Sequence, residues 1–227
     1  MIKKSSGGPR REESLSRERI IDASIALLDE AGESGLTFRA LSLKLATGPG
    51  AIYWHVANKS ELMTAACDTI VARAMDAPLA DATPETTIRA IALGMFDAID
   101  AHPWVGSALA HAPGQLPVVR ILERLGQQLR HLDVPAEQEW TTVSALLSYI
   151  LGVGAQNAAN RQFAFSEELD RDTFLASAAS AWSELDPDVY PFTSSVAGKL
   201  RDHDDQEDYL AGIDLILAGI GSLRHRR

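Results

Sequence analysis

The chain has 227 residues, 46% hydrophobic and 23% charged, the ordinary balance of a globular protein. At this size roughly 70% of the extended chain's surface is lost on folding, so a substantial core is available. No run reaches the roughly 18 uninterrupted apolar residues of a membrane span. The opening Met1-Ile2-Lys3-Lys4 leads into no apolar stretch, so no secretory signal is expected, and the single cysteine, Cys67, excludes an internal disulfide and a cysteine-based metal site. A cytoplasmic protein is therefore expected, and its low aromatic content of 6% beside abundant alanine and leucine favours helices over sheets. The net charge of −10 is uneven: residues 1–60 hold nine Lys+Arg against seven Asp+Glu, giving +2, and the remainder gives −12. A mildly basic front on an acidic body suits a protein that presents one end to a polyanion.

Residues 1–15 carry Gly7-Gly8-Pro9 and the basic pairs Lys3-Lys4 and Arg10-Arg11, and read as a flexible arm. Ser16 then caps a helix marked by Ile20, Ile21, Ser24, Leu27, Leu28 and Ala31, which Gly32 and Gly35 stop. Thr37 caps a short helix with Phe38, Leu41 and Leu45 on its buried side. The run Ala46-Thr47-Gly48-Pro49-Gly50 forces a turn, and a third short helix follows from Pro49 to Val56 with Ile52 and Val56 inward. Asn58 or Ser60 caps a fourth helix that begins near Glu61 and fades near Pro78.

Further helices are predicted from Thr83-Pro84 to Ala101, from Pro103, from Pro117 to His131, over 136–161, over 167–185 and over 206–223. A Pro- and Ser-containing loop precedes the last of them, and a basic tail, Arg224 to Arg227, follows it. The predicted fold is all-α: an N-terminal three-helix head over residues 16–60 and a larger helical body over residues 61–227.

Two short helices joined by a tight turn and preceded by a longer one make a helix-turn-helix, whose second short helix would enter the DNA major groove. With Ile52 inward, Gly50, Ala51 and Trp54 fall near the opposite side, and Tyr53 and His55 on the flanks. The run Leu36-Thr37-Phe38-Arg39-Ala40-Leu41, then Leu45, then Ile52-Tyr53-Trp54-His55-Val56-Ala57-Asn58-Lys59-Ser60-Glu61-Leu62, resembles the DNA-binding head of the tetracycline-repressor (TetR) family. The match covers about fifty residues in register. The body resembles that family more loosely, through His102-Pro103-Trp104 and the helix carrying Leu146, Tyr149, Leu151 and Gly152.

The resemblance implies a transcriptional regulator, most simply a repressor that a small molecule releases from a palindromic operator in double-stranded DNA. It implies that Thr37 holds a phosphate and Arg39 reaches a base edge. Gly50 and Ala51 approach the groove, Trp54 lies beside them, and Tyr53, His55 and Lys59 clamp phosphates. Two departures stand out. Ala46 replaces the glycine usual at the turn, and Gly48-Pro49-Gly50 replaces residues that often read bases. Specificity then rests on Arg39, methyl contacts from Ala51, the arm and DNA shape.

Polar groups within apolar helices of the body suggest an effector pocket, with His102, Trp104, His111, Gln115, Trp140, Gln156 and Asn157 as candidates. Leu109 aligns where tetracycline-binding members carry a metal histidine, so neither a metal nor any other cofactor is expected. The helices over 136–161 and 206–223 resemble the pair that forms a homodimer interface, with Gly152, Gly154, Ala155, Gly212, Ala218 and Gly219 allowing close approach. A dimer would set two heads one DNA turn apart, roughly 34–36 Å. An all-helical enzyme is the weaker alternative, because no metal, nucleophile or phosphate-loop spacing is present. A helical ligand-binding dimer without DNA binding is another.

Overall fold

In the computed structural model, which describes residues 15–76, 82–110, 114–166 and 170–224, every regular element is helical. The chain divides into two compact units, the first ending at Ala66 and the second beginning at Cys67. No helix among the described residues is long and apolar enough to cross a membrane.

In the first unit, α1 (Arg17–Gly35) starts where Ser16 accepts the Arg19 N–H at 3.3 Å, satisfying one of the first-turn donors that have no intrahelical partner. The helix breaks at Gly32, whose φ of 61° and ψ of −163° suit only glycine, and a last turn carries on to Gly35. Thr37 caps α2 (Phe38–Lys44) by accepting the Ala40 N–H at 3.1 Å. That helix closes in a Schellman motif: Ala46 N–H donates to Leu43 O at 3.2 Å and Thr47 N–H to Ser42 O at 3.0 Å. Ala46 occupies the left-handed position with φ 51°, where glycine is usual. α3 spans Pro49–Tyr53, three residues shorter than its sequence pattern predicts. Ile20, Leu36, Leu41 and Ile52 are wholly buried and form the core of this unit.

Asn58 is the cap of α4 (Lys59–Met75): its Oδ1 accepts the Glu61 N–H at 2.9 Å, and Glu61 returns a carboxylate oxygen to the Ala57 N–H at 2.8 Å. α4 starts in the first unit and finishes in the second.

The second unit is built on α5 (Pro84–Ala101), α6 (Trp104–Ala110), α7 (Leu116–His131), α8 (Ala136–Ser166) and α11 (Asp205–Arg224). α8 packs against α5, α6, α7 and α11, and α11 also lies on α5. Ile88, Met95, Ile99, Ile121, Leu125, Leu146, Ile150 and Ile213 fill the space between them. Tyr209 is also buried there, and its hydroxyl donates to Ala92 O at 3.0 Å, tying α11 to α5. Asp68 and Met75 of α4 are held by α7: Arg120 forks onto the Asp68 carboxylate at 2.9 and 3.0 Å, and Arg124 donates to Met75 O at 3.2 Å. α9 (Arg171–Ser183), α10 (Pro191–Val196) and a 3-10 helix (Ala197–Asp202) pack on one another.

Three expectations need correction. The segment before the last helix is not a plain loop. Pro191 sits at the first turn of α10 with its φ already suited to a helix, and burial of Ala197 holds the 3-10 turn in place. α8 continues past Arg161 to Ser166, because residues 162–166 contain neither proline nor glycine to stop it. Gly154 and Gly212, assigned to contact between chains, serve contact within this one: a methyl at Gly154 would come within 2.8 Å of Ile99 Cδ1, and one at Gly212 would collide with the Tyr149 hydroxyl. Gly152, Ala218 and Gly219 are exposed, as is Leu215 at 76%.

Candidate nucleic-acid interface and ligand cavity

Leu41, Ser42 and Ile52 are the buried residues of α2 and α3, so the exposed side chains of these helices define the outer surface of the head. Thr37, Arg39, Gly50, Tyr53 and Trp54 are exposed, and Ala51, His55 and Lys59 are half-buried. Trp54 is 90% exposed, which excludes a packing role within the head. The Thr37 oxygen is occupied as a cap, but its hydroxyl proton remains available to a phosphate oxygen. Arg39 projects from the first turn of α2. Tyr53 ends α3 with its ring stacked on Phe38, centroids 4.2 Å apart.

Because α3 ends at Tyr53, Trp54 and His55 belong to the following turn, closed by His55 N–H donating to Ile52 O at 2.9 Å. A lock that the sequence pattern did not reveal fixes this turn. Arg17 Nη1 donates to His55 O at 3.1 Å and to Glu61 Oε1 at 2.9 Å, linking the start of α1 to the linker between α3 and α4. The one available signal was the capping spacing Asn58-x-x-Glu61. Lys59 also has a structural task, since its ammonium donates to Glu33 O at 2.6 Å near the end of α1. Two of its three protons stay available to a polyanion.

In the body, a cavity of about 640 Å³ opens between α8, α9, the 3-10 helix and α11. Tyr149, Gln156, Asn157 and Asn160 come from α8, Phe174 and Trp182 from α9, and Tyr209 from α11. Tyr149 and Tyr209 stack at 5.6 Å, and the Tyr149 hydroxyl donates to Tyr209 O at 3.1 Å. Burial pushes both phenols above their ordinary range, assisted at Tyr149 by Asp208 and at Tyr209 by Tyr149 and then Asp97, so both remain neutral. An ion network rims the cavity: Arg171 pairs with Asp205 at 3.2 Å, and His203 bridges Asp205, at 3.0 Å, and Asp208.

Of the residues proposed as effector contacts, Gln156 and Asn157 line this cavity. The others do not. Trp104 is a core residue with His102 edge-on at 6.2 Å, Gln115 precedes α7, and Trp140 is 71% exposed. His111 lies outside the described residues, as do most of the basic arm and the last three residues of the tail. Phe174, Trp182 and Tyr209 escaped sequence reading because aromatic residues at helical spacing read as core.

The model described as "Bacterial regulatory proteins, tetR family" matches residues 20–66. The class D tetracycline repressor protein of Escherichia coli is 47% identical over 62 residues, which are 27% of this chain and 28% of that protein's length. The structure of the transcriptional regulator SCO7222, a TetR from Streptomyces coelicolor, is similar throughout. It is 50% identical, has a TM-score of 0.85, and the match covers 92% of this chain and 99% of that one. BioQ, solved with its double-stranded DNA operator, is 30% identical with a TM-score of 0.56, over 66% of this chain and 90% of that one.

Proposed function

This chain belongs to the TetR family of bacterial regulatory proteins, and we propose that it represses transcription as a homodimer on a palindromic operator that a small molecule makes it release. The observation that carries the reading is the outer face of the head, where Arg39, Tyr53 and Trp54 are exposed on a helix-turn-helix whose every apolar residue of the inner side is engaged. Arg39 is the base reader, because a guanidinium can fork onto a guanine edge. Thr37, Tyr53, His55 and Lys59 position the head on phosphates, which fixes register without reading sequence. Gly50 and Ala51 leave room for close approach to the groove.

The exposed small residues Gly152, Ala218 and Gly219, with Leu215, support pairing of two copies through α8 and α11. Effector binding in the body acts on α4, whose later turns are held by Arg120 and Arg124, and thereby alters the spacing of the two heads. The role is regulatory, not enzymatic, and is exercised in the cytoplasm where the DNA is.

Selection of bound duplexes from a random pool by the full-length protein tests this reading. Enrichment of a palindrome with half-sites about one helical turn apart is expected. Recovery of no common sequence, or of a single unpaired half-site, would refute it.

A further inference from the structure

α3 is poor in hydrogen-bonding side chains. Pro49, Gly50, Ala51 and Ile52 have none, and the only polar side-chain group in the helix is the Tyr53 hydroxyl at its last residue. Ile52 is wholly buried, which turns Gly50 and Ala51 towards the outer face. Trp54, just past the helix, keeps helical dihedrals of φ −71° and ψ −20°, so it stays on the side of Gly50 and Ala51. Its ring is 90% exposed. Gly50 is not required by the chain itself: its φ lies outside the left-handed region, and an added Cβ would meet nothing within 4 Å. A glycine weakens a helix relative to alanine, and the room this one leaves lies outside the head.

In the major groove, base pairs differ in two independent features. One is the pattern of donors and acceptors; the other is the C5-methyl group that thymine carries and cytosine lacks. A surface of methyl, bare backbone and indole ring matches the second feature. With the Tyr53 hydroxyl on phosphate, only the indole N–H is left for the first. We propose that the face formed by Ala51 and Trp54 reads the C5-methyl group itself, whichever pyrimidine carries it. Thymine fits, deoxyuridine and cytosine do not, and 5-methylcytosine is accepted in the place of thymine. The head thereby responds to cytosine methylation wherever a half-site carries cytosine at that position, while Arg39 reads a separate base pair by hydrogen bonds. The proposal rests on the reading of the head as operator-binding and adds the chemical group recognised there.

The test uses the full-length protein and its selected palindrome at one fixed salt concentration. Each thymine is replaced in turn, symmetrically in both half-sites, by deoxyuridine, by cytosine paired with guanine, and by 5-methylcytosine paired with guanine. With the parent duplex, these vary the methyl group and the hydrogen-bond pattern independently. At the thymine facing α3, deoxyuridine and cytosine should each weaken binding about tenfold, since a buried methyl is worth roughly fourfold in each half-site. There, 5-methylcytosine should bring affinity back to within about threefold of thymine, because the two share the methyl. The same substitutions between the half-sites should change affinity less than about twofold. Ala51→Gly and Trp54→Ala should each shrink the methyl preference, and Trp54→Ala should leave the melting temperature unchanged. Indifference to deoxyuridine at every thymine would overturn the proposal. So would 5-methylcytosine binding no better than cytosine, which would make a donor on Tyr53 or Trp54 the reader of the pair. A methyl effect of equal size between the half-sites would assign it to DNA shape, and an undiminished preference in both variants would place the reader elsewhere; either overturns the proposal. A protein that holds the palindrome under any of these results keeps its role as an operator-binding regulator, whereas one that binds no duplex loses both.

Discussion

The ring of Phe38 lies nearly flat against that of Tyr53, with centroids 4.2 Å apart and planes 11° from parallel. The first residue of α2 thus supports the last residue of α3, and a phenol that is 54% exposed is held by one face. Such a stack contributes about 0.5–1.5 kcal/mol beyond the area it buries. Phe38→Ala should therefore weaken operator binding several-fold through a loosened Tyr53. Tyr53→Phe keeps the stack but loses the hydroxyl, and should cost about 1 kcal/mol on operator and random duplexes alike. Affinity measured on both kinds of DNA decides the point: a loss confined to the operator would make Tyr53 a base reader instead.

Arg39 should behave in the opposite way. Arg39→Ala should relax sequence preference by about 1–3 kcal/mol at one base pair of each half-site, with a smaller loss on random DNA. Competition between the operator and single-base variants measures this. Equal losses on all sequences would reassign Arg39 to the phosphate backbone.

Ala46 carries a cost that substitution can remove. A left-handed alanine costs about 1–2 kcal/mol, and the greater freedom of glycine in the unfolded chain returns about 0.4–1 kcal/mol of that. Ala46, with φ 51°, closes a complete Schellman motif, so Ala46→Gly should preserve the turn and stabilise the head by about 0.5–1 kcal/mol. A raised midpoint in denaturant is the expected result. An unchanged or lowered one would mean that the alanine methyl makes a favourable contact.

Cys67 provides a prediction on pH. The thiol is 2% exposed, and burial first, then the neighbouring Asp68, pushes its pKa from the ordinary 9.0 up to about 12. The folded protein therefore holds the proton more tightly than the unfolded chain does. Its contribution to stability is complete below pH 9 and is lost as the pH rises from 9 towards 12. Alkylation by iodoacetamide at pH 8 should follow unfolding, because the thiolate is the nucleophile and the folded thiol stays protonated. Rapid labelling of the native protein would contradict the burial.

The local signals of the head were legible because they act over three or four residues. Thr37 caps where a threonine precedes an apolar-periodic run, and Ala46-Thr47-Gly48 turns where no helix can continue. The end of α3 was less so. Ile52 and Val56 are both buried at helical spacing, yet a turn at Trp54 brings Val56 inward just as well. In the body, identical letters served different contacts: Gly154 and Gly212 admit Ile99 and Tyr149 of the same chain, whereas Gly152 faces outward. Spacing along a helix cannot say which neighbour occupies each face. The cavity was half legible for the same reason. Polar Gln156 and Asn157 stood out within an apolar helix, while Phe174 and Trp182 were indistinguishable from core until α9 and α8 were in place.

The most direct test of the central claim is the affinity of the full-length protein for its selected palindrome as a function of salt, beside a scrambled duplex of equal length. Log affinity should fall linearly with log salt on both, because phosphate contacts release counterions, and the palindrome should remain at least about a thousandfold tighter at physiological salt. Equal affinity for the two duplexes, or affinity indifferent to salt, would contradict the assignment of Thr37, Arg39, Tyr53, His55 and Lys59 to DNA.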